Sequence, residues 1–259
     1  MKNNRQGIDL SGSEGSFTAN QYVNDYAAGS FKVRSDYLPL VKKVLIPQYQ
    51  ILERGKELLK QIEEDFQGEQ PLFIPILKGA VRFAIDIFRF AGSIDPEFEF
   101  MSAASYGTRL SSGKVQLDLR AVSRLLDKLK DRHRPVIIME DIVDTGNTLS
   151  HIVSVLRNID EMIDSQPDFR EFQRKGSYVP SAVSICTLLD KPSRRMKENE
   201  GLPLAYTGFV VPNLWVFGYG LDVWNDRGRT LDHVCIIADD YGSEEKLAEF
   251  FEDLENGNP

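Results

Sequence analysis

Hydrophobic positions along the chain follow two different periods. Residues 72–77, 136–139, 183–189 and 233–238 are short, mainly apolar runs rich in β-branched side chains, the pattern of strands buried on both faces. Residues 98–105, 206–211 and 214–217 read as further short strands, and 115–119 as a strand-like piece. Elsewhere apolar residues recur every three or four positions, which is helical spacing. That spacing predicts a helix over 36–66 on Leu38, Val41, Leu45, Tyr49, Leu52, Leu58, Leu59 and Ile62, with Pro47 and Gly55 marking a break or kink. It predicts a second after Gly79 on Val81, Phe83, Ala84, Ile87 and Phe88, and a third over 121–134 on Leu125, Leu126 and Leu129. A fourth follows on Leu149, Ile152, Val153, Leu156 and Ile159, and a last one covers 244–254. The charges of the 121–134 helix read as a solvated face. Residues 160–176, polar and interrupted by Pro167, read as a surface excursion. Residues 1–33, rich in Asn, Ser and Gly, read as an arm before a domain spanning 34–259, with Phe17, Tyr22, Tyr26 and Phe31 able to anchor it.

Composition narrows the class. At 259 residues and 42% hydrophobic, the chain can bury the core of one large domain, or of one domain with additions. A net charge of −8 argues against a nucleic-acid partner, because phosphate contacts draw on an excess of Lys and Arg. No run approaches the roughly 18 apolar residues of a membrane span, and no signal-peptide pattern opens the sequence, so a cytoplasmic protein with no membrane partner is expected. Cys186 and Cys235 each lie inside an apolar run, as free buried thiols do. The three histidines, His133, His151 and His233, have no metal-ligand spacing.

Candidate chemistry concentrates at 135–150. The run 136–139 is followed by two carboxylates, Glu140 and Asp141, where that strand is expected to end. The turn Asp144-Thr145-Gly146-Asn147-Thr148 then opens a helix. A helix N-terminus offers unpaired N–H groups and the positive end of a dipole, so this turn is an anion site. Carboxylates beside a phosphate would repel it; sugar hydroxyls or a divalent metal give them another task. The bland alternative is a turn in which Asp144 and Thr145 only cap a helix. Three weaker signals accompany it: Lys78-Gly79 where a strand meets a helix, the polar loop after Ser105-Tyr106, and Lys191 at the C-terminal end of a strand, where open α/β sheets bind ligands. Each has a plain reading as a surface lysine or an ordinary loop.

The stretch from Glu140 to Thr148 resembles the phosphoribosyl-pyrophosphate signature of the type I phosphoribosyltransferases. Leu77-Lys78-Gly79, Ser105-Tyr106, Lys191 and Trp215-Val216-Phe217-Gly218-Tyr219-Gly220-Leu221-Asp222 occur in the order found in the hypoxanthine-guanine branch. The resemblance implies an α/β fold, a mostly parallel five-stranded sheet flanked by helices, with a small hood built from parts of 34–70 and 190–240. It implies Asp144 as general base. Lys78, Gly79, Ser105, Tyr106, Glu140, Asp141, Thr145, Gly146, Asn147, Thr148 and Arg229 would bind phosphoribosyl pyrophosphate, with a cis peptide before Lys78 and Arg227 competing with Arg229. Lys191, Trp215, Val216 and Asp222 would bind the purine, and Glu140, Asp141 and Asp222 would serve magnesium. The implied activity is conversion of hypoxanthine or guanine to its nucleotide with release of pyrophosphate, by a homodimer or homotetramer. A xanthine-preferring enzyme and a non-catalytic nucleotide-sensing regulator on the same scaffold are the alternatives.

Overall fold

The computed structural model describes residues 7–12, 17–18, 35–102, 119–130, 132–165, 167–170, 172–173 and 176–256. Most of the expected arm, and Ser105 and Tyr106 with the loop that follows them, lie outside the described residues. In chain order the strands and helices are β1 (Ile8–Asp9), β2 (Phe17–Thr18), β3 (Val41–Ile46), α1 (Gln48–Asp65), β4 (Leu72–Leu77), α2 (Ala80–Phe88), β5 (Glu97–Phe98) and β6 (Met101–Ser102). There follow α3 (Leu119–Leu129), β7 (Val136–Val143), α4 (Asn147–Arg157), α5 (Ile159–Ser165), β8 (Val183–Asp190), β9 (Leu204–Val210), β10 (Val216–Phe217), β11 (Val234–Ile237) and α6 (Glu244–Glu255). The described residues divide into two compact units, one drawn mainly from Gly55–Val210 and the other from Asp9–Arg54 and Val211–Pro259.

The first unit is built on a sheet of order β1-β9-β8-β7-β4-β5, with β6 also pairing β4. Every pairing from β9 across to β5 and β6 is parallel. The expected five parallel positions are present. The fifth is shared by β5 and β6, two short pieces with Glu99 and Phe100 between them, and the two-residue β1 adds an edge. Leu72, Ile74, Val136, Ile138 and Ile185 form one core with Val122, Leu125, Leu126 and Leu129 of α3 and Leu149, Ile152, Val153 and Leu156 of α4. Phe73 meets Phe88 of α2 edge-on at 4.3 Å between ring centroids. Gly55 does not break α1. A Cβ there would stand 3.2 Å from Ile87 Cγ1, so the glycine lets α1 and α2 approach closely.

Two surface expectations change here. The 160–176 stretch is no excursion: α5 buries Ile159 and Ile163, and Phe169 and Tyr178 join the same core. Asp160 ties its far end down, accepting from the Tyr178 N–H at 2.8 Å and the Ser177 hydroxyl at 2.9 Å. Nor is the charged face of α3 simply solvated. Arg124 and Lys128 pair with the buried Glu99 at 2.9 and 3.2 Å, shielding the edge of the sheet.

The second unit carries an antiparallel sheet, β10-β11-β3-β2. Here the helix expected over 36–66 proves to be a 3₁₀ segment (Ser35–Leu40), then β3, then α1. Val41, Val44 and Leu45 satisfy helical spacing and a buried strand alike; pairing of β3 with β11 decides for the strand. Pro47 then separates strand from helix. Tyr37, Leu40, Val44, Phe217, Cys235, Leu247 and Phe251 pack together in this unit's core. Arg227 lies 4.9 Å over the Phe251 ring and pairs with Glu255 of α6. Cys186 of β8 and Cys235 of β11 are buried and in no disulfide, one in each unit. No helix among the described residues is long and apolar enough to cross a membrane.

Candidate functional site

The register of β7 on β8 brings two predicted residues side by side. Val143 pairs with Asp190, so Asp144 and Lys191 leave adjacent parallel strands at the same level, at the C-terminal edge of the sheet. The Lys191 N–H donates to the Val143 carbonyl at 2.9 Å, continuing the ladder by one step. Asp144 begins the turn through Thr145 and Gly146 into α4, whose first residues are Asn147 and Thr148. Gly146 has φ 83°, left-handed, and a Cβ there would lie 2.9 Å from Leu202 Cδ1. Glycine is therefore required twice over, by backbone and by packing. The first N–H groups of an α-helix have no intrahelical acceptor, so the start of α4 offers donors to an anion.

Glu140 and Asp141 stand within β7, not beyond its end as the sequence suggested. The strand runs to Val143, because Glu140 and Ile142 still pair with Thr187 and Leu189 of β8. Both carboxylates curl back onto the backbone. Glu140 Oε1 accepts from the Asp141 N–H at 3.3 Å, and Asp141 Oδ1 from the Ile142 N–H at 2.7 Å. Burial, and then the Asp141 charge beside it, push the Glu140 carboxyl well above its usual range. Such a pair is stabilised by any ligand bringing hydroxyl donors or positive charge. The β4–α2 connection lies directly against it. A Cβ on Gly79 would sit 1.5 Å from Asp141 Oδ2, so the carboxylate fills the space a side chain would take. The peptide joining Leu77 to Lys78 is cis, as the resemblance implied.

Sequence reasoning missed what holds the turn. The segment after β8 folds over it. Arg194 Nε donates to Asp144 Oδ1 at 2.9 Å, and Arg195 Nε to the Asp144 carbonyl at 3.1 Å. The Met196 N–H donates to the Thr145 carbonyl at 3.1 Å, and Asn199 Nδ2 to the same carbonyl at 2.9 Å and to Asn147 Oδ1 at 2.6 Å. Arg195 also pairs with Asp190. The basic doublet Arg194-Arg195 after Lys191-Pro192-Ser193 was the available signal; nothing marked Asn199. Lys191 is buried, and that burial holds its ammonium below the ordinary lysine range; Asp144 opposes the shift and Arg194 adds to it. Burial raises the Asp190 carboxyl, with Arg195 pulling it back.

In the second unit, Trp215 precedes β10 with its side chain partly exposed, and its carbonyl accepts from the Ile237 N–H at 3.1 Å. Val216 is buried in β10, opposite Ile236. Arg229 Nη2 reaches Asp222 Oδ1 at 3.1 Å, and Arg229 Nη1 reaches the Gly220 carbonyl at 2.6 Å. Arg227 is engaged with Glu255 and Phe251. No group of three or more His, Cys, Asp or Glu among the described residues forms a metal cage. The Glu140–Asp141 pair instead fits magnesium as that ion is commonly held, by one or two carboxylates with substrate phosphates completing its shell.

The chain is similar to known proteins along most of its length. The phosphoribosyl transferase domain family matches residues 47–163. The chain is 34% identical over 232 residues to the bifunctional protein TilS/HprT of Listeria innocua, over 86% of this chain; it spans 30% of that relative's length. It is 34% identical over 194 residues to the hypoxanthine phosphoribosyltransferase of Salmonella typhimurium, covering 74% of this chain and 93% of the relative. The crystal structure of a hypoxanthine-guanine phosphoribosyltransferase from Bacillus anthracis matches with a TM-score of 0.53 and 33% identity, over 76% of this chain and 99% of that one.

Proposed function

Since the chain belongs to the phosphoribosyltransferase family, in its hypoxanthine-guanine branch, we propose that it transfers the 5-phosphoribosyl group of 5-phosphoribosyl-1-pyrophosphate to hypoxanthine or guanine and releases pyrophosphate. The observation that carries this reading is the paired departure of Asp144 and Lys191 from β7 and β8. Neighbouring strands lie about 4.8 Å apart, and the N7 and O6 of a 6-oxopurine lie together on one edge of the ring. Lys191, which can only donate, suits O6. Asp144 suits the N7 proton. As the N9 lone pair forms the bond to C1′, the C1′–oxygen bond breaks, its electrons leave with pyrophosphate, and the N7 proton passes to the Asp144 carboxylate.

The start of α4, from Thr145 to Thr148, supplies donors for the 5′-phosphate. Glu140 and Asp141 accept from the ribose hydroxyls and are the residues that would hold magnesium. When bound, that ion neutralises charge on the leaving pyrophosphate. Lys78 and Gly79 serve pyrophosphate; Trp215, Val216, Asp222 and Arg229 keep their expected roles, with Arg229 preferred over Arg227 because it is Arg229 that reaches Asp222 and the Gly220 carbonyl of the glycine bend.

The test is conversion of hypoxanthine, guanine, xanthine and adenine with the sugar pyrophosphate and magnesium. Hypoxanthine and guanine should turn over and xanthine poorly. If none of the four reacts, the transferase reading fails and a nucleotide-sensing role replaces it. Gly79→Ala checks the sugar site separately. Its methyl would displace the Asp141 carboxylate, and losing one charge-assisted hydrogen bond costs about 1.5–3 kcal/mol. KM for the sugar pyrophosphate should therefore rise ~10–100-fold, with KM for hypoxanthine little changed. Equal effects on both substrates would count against the assignment.

A further inference from the structure

One side chain ties the segment carrying Asp144 to the segment carrying Lys191. Arg195 Nε donates to the Asp144 carbonyl at 3.1 Å while Nη2 pairs with Asp190 Oδ1, next to Lys191. The two charged side chains are 10% and 12% exposed. The Arg195 Cδ also lies 3.1 Å from where a Cβ on Gly146 would stand, so its stem packs on the turn itself. Past the hydrogen bond from the Lys191 N–H to the Val143 carbonyl, β7 gives way to the turn and β8 to a 3₁₀ segment (Pro192–Arg194). Beyond that point a main-chain bond from the Met196 N–H to the Thr145 carbonyl joins the two segments, and side chains must add to it to set the spacing.

We propose that Arg195 is a positioning residue, fixing the distance between Lys191 and Asp144 so that the purine and the sugar phosphate are recognised in one frame. A planar guanidinium holds two acceptors at a set separation; an ammonium, a compact point charge, does not. Asn199 supports the same turn from the other side through Thr145 and Asn147. The inference rests on the transferase reading for the identity of its ligands.

Removing Arg195 alone would strand a buried carboxylate and can unfold the segment, so the informative variant is the double change Asp190→Asn with Arg195→Gln, two amides in place of two charges. Its melting temperature should stay near that of the wild type. Its affinity for inosine 5′-monophosphate, which spans both segments, should fall about a hundredfold by calorimetry, the scale of a misplaced site. With hypoxanthine and the sugar pyrophosphate as substrates, KM should rise for both. Arg195→Lys, which keeps the charge, should not restore affinity. Adding Lys191→Ala to the double variant should cost much less than Lys191→Ala costs the wild type. Nucleotide affinity within about threefold of wild type, rescue by Arg195→Lys, or a KM change for one substrate alone would overturn the proposal. A wild type that binds the nucleotide without turning over any base would sink the transferase reading and leave this inference standing. A wild type that does not bind it overturns both.

Discussion

Asp144→Asn is expected to lower kcat by about 10²–10⁴-fold, the usual contribution of a positioned acid–base group, while both KM values stay within a few-fold. The substitution keeps shape and size, so the turn and its hydrogen bonds from Arg195, Asn199 and Met196 should survive; all three go to main-chain carbonyls or to Asn147 and none to the Asp144 carboxylate. What the amide cannot do is accept the N7 proton. Arg194 pairs with the same carboxylate at 2.9 Å, yet both side chains are more than two-fifths exposed. A pair that open is worth roughly 0–1 kcal/mol, so an incoming purine can displace the guanidinium. Single-turnover rates with the mutant, beside calorimetric binding of both substrates, separate chemistry from affinity. A kcat lowered less than about threefold would remove Asp144 from the role of base.

The second large effect concerns base choice. The wild type should discriminate against adenine by roughly ten- to several-hundred-fold in kcat/KM, and Lys191→Ala should abolish most of that preference. Lys191 is buried. Its ammonium donates to the O6 of hypoxanthine or guanine and has no acceptor to offer, whereas the 6-amino group of adenine is itself a donor. Two donors facing each other in a buried site leave both unsatisfied, a cost of about 1–3 kcal/mol. Xanthine carries the same O6, so Lys191 does not select against it; any such selection would fall to groups facing carbon 2. Adenine used as readily as hypoxanthine by the wild type would end the case for a 6-oxopurine pocket.

What the sequence could disclose depended on how local each feature was. The turn from Asp144 to Thr148 was legible because its carboxylate, glycine and hydroxyl residues lie next to one another in the chain. The strand Leu72–Leu77 and its continuation into Lys78-Gly79 were legible for the same reason. The extent of β7 was not, because Glu140 and Asp141 break the apolar run and only the register with Thr187 and Leu189 carries the strand past them. Val41 to Ile46 misled by fitting both periods, and their strand partner, Val234 to Ile237, lies far along the sequence. The grip of Arg195 and Asn199 on the turn spans about fifty residues, a relation no periodicity encodes.

The two cysteines give the molecule a pair of internal reporters. Burial pushes the Cys235 thiol far above its ordinary range, and Cys186 is enclosed in the parallel sheet, so neither offers a reactive thiolate while its strand is in place. Because one sits in each compact unit, an alkylating reagent reads the opening of each separately. Mass mapping of the modified peptides over time would give two opening rates from one sample without any engineered label. Added nucleotide should slow modification of Cys186, whose strand runs into the Asp190–Lys191 end of the site.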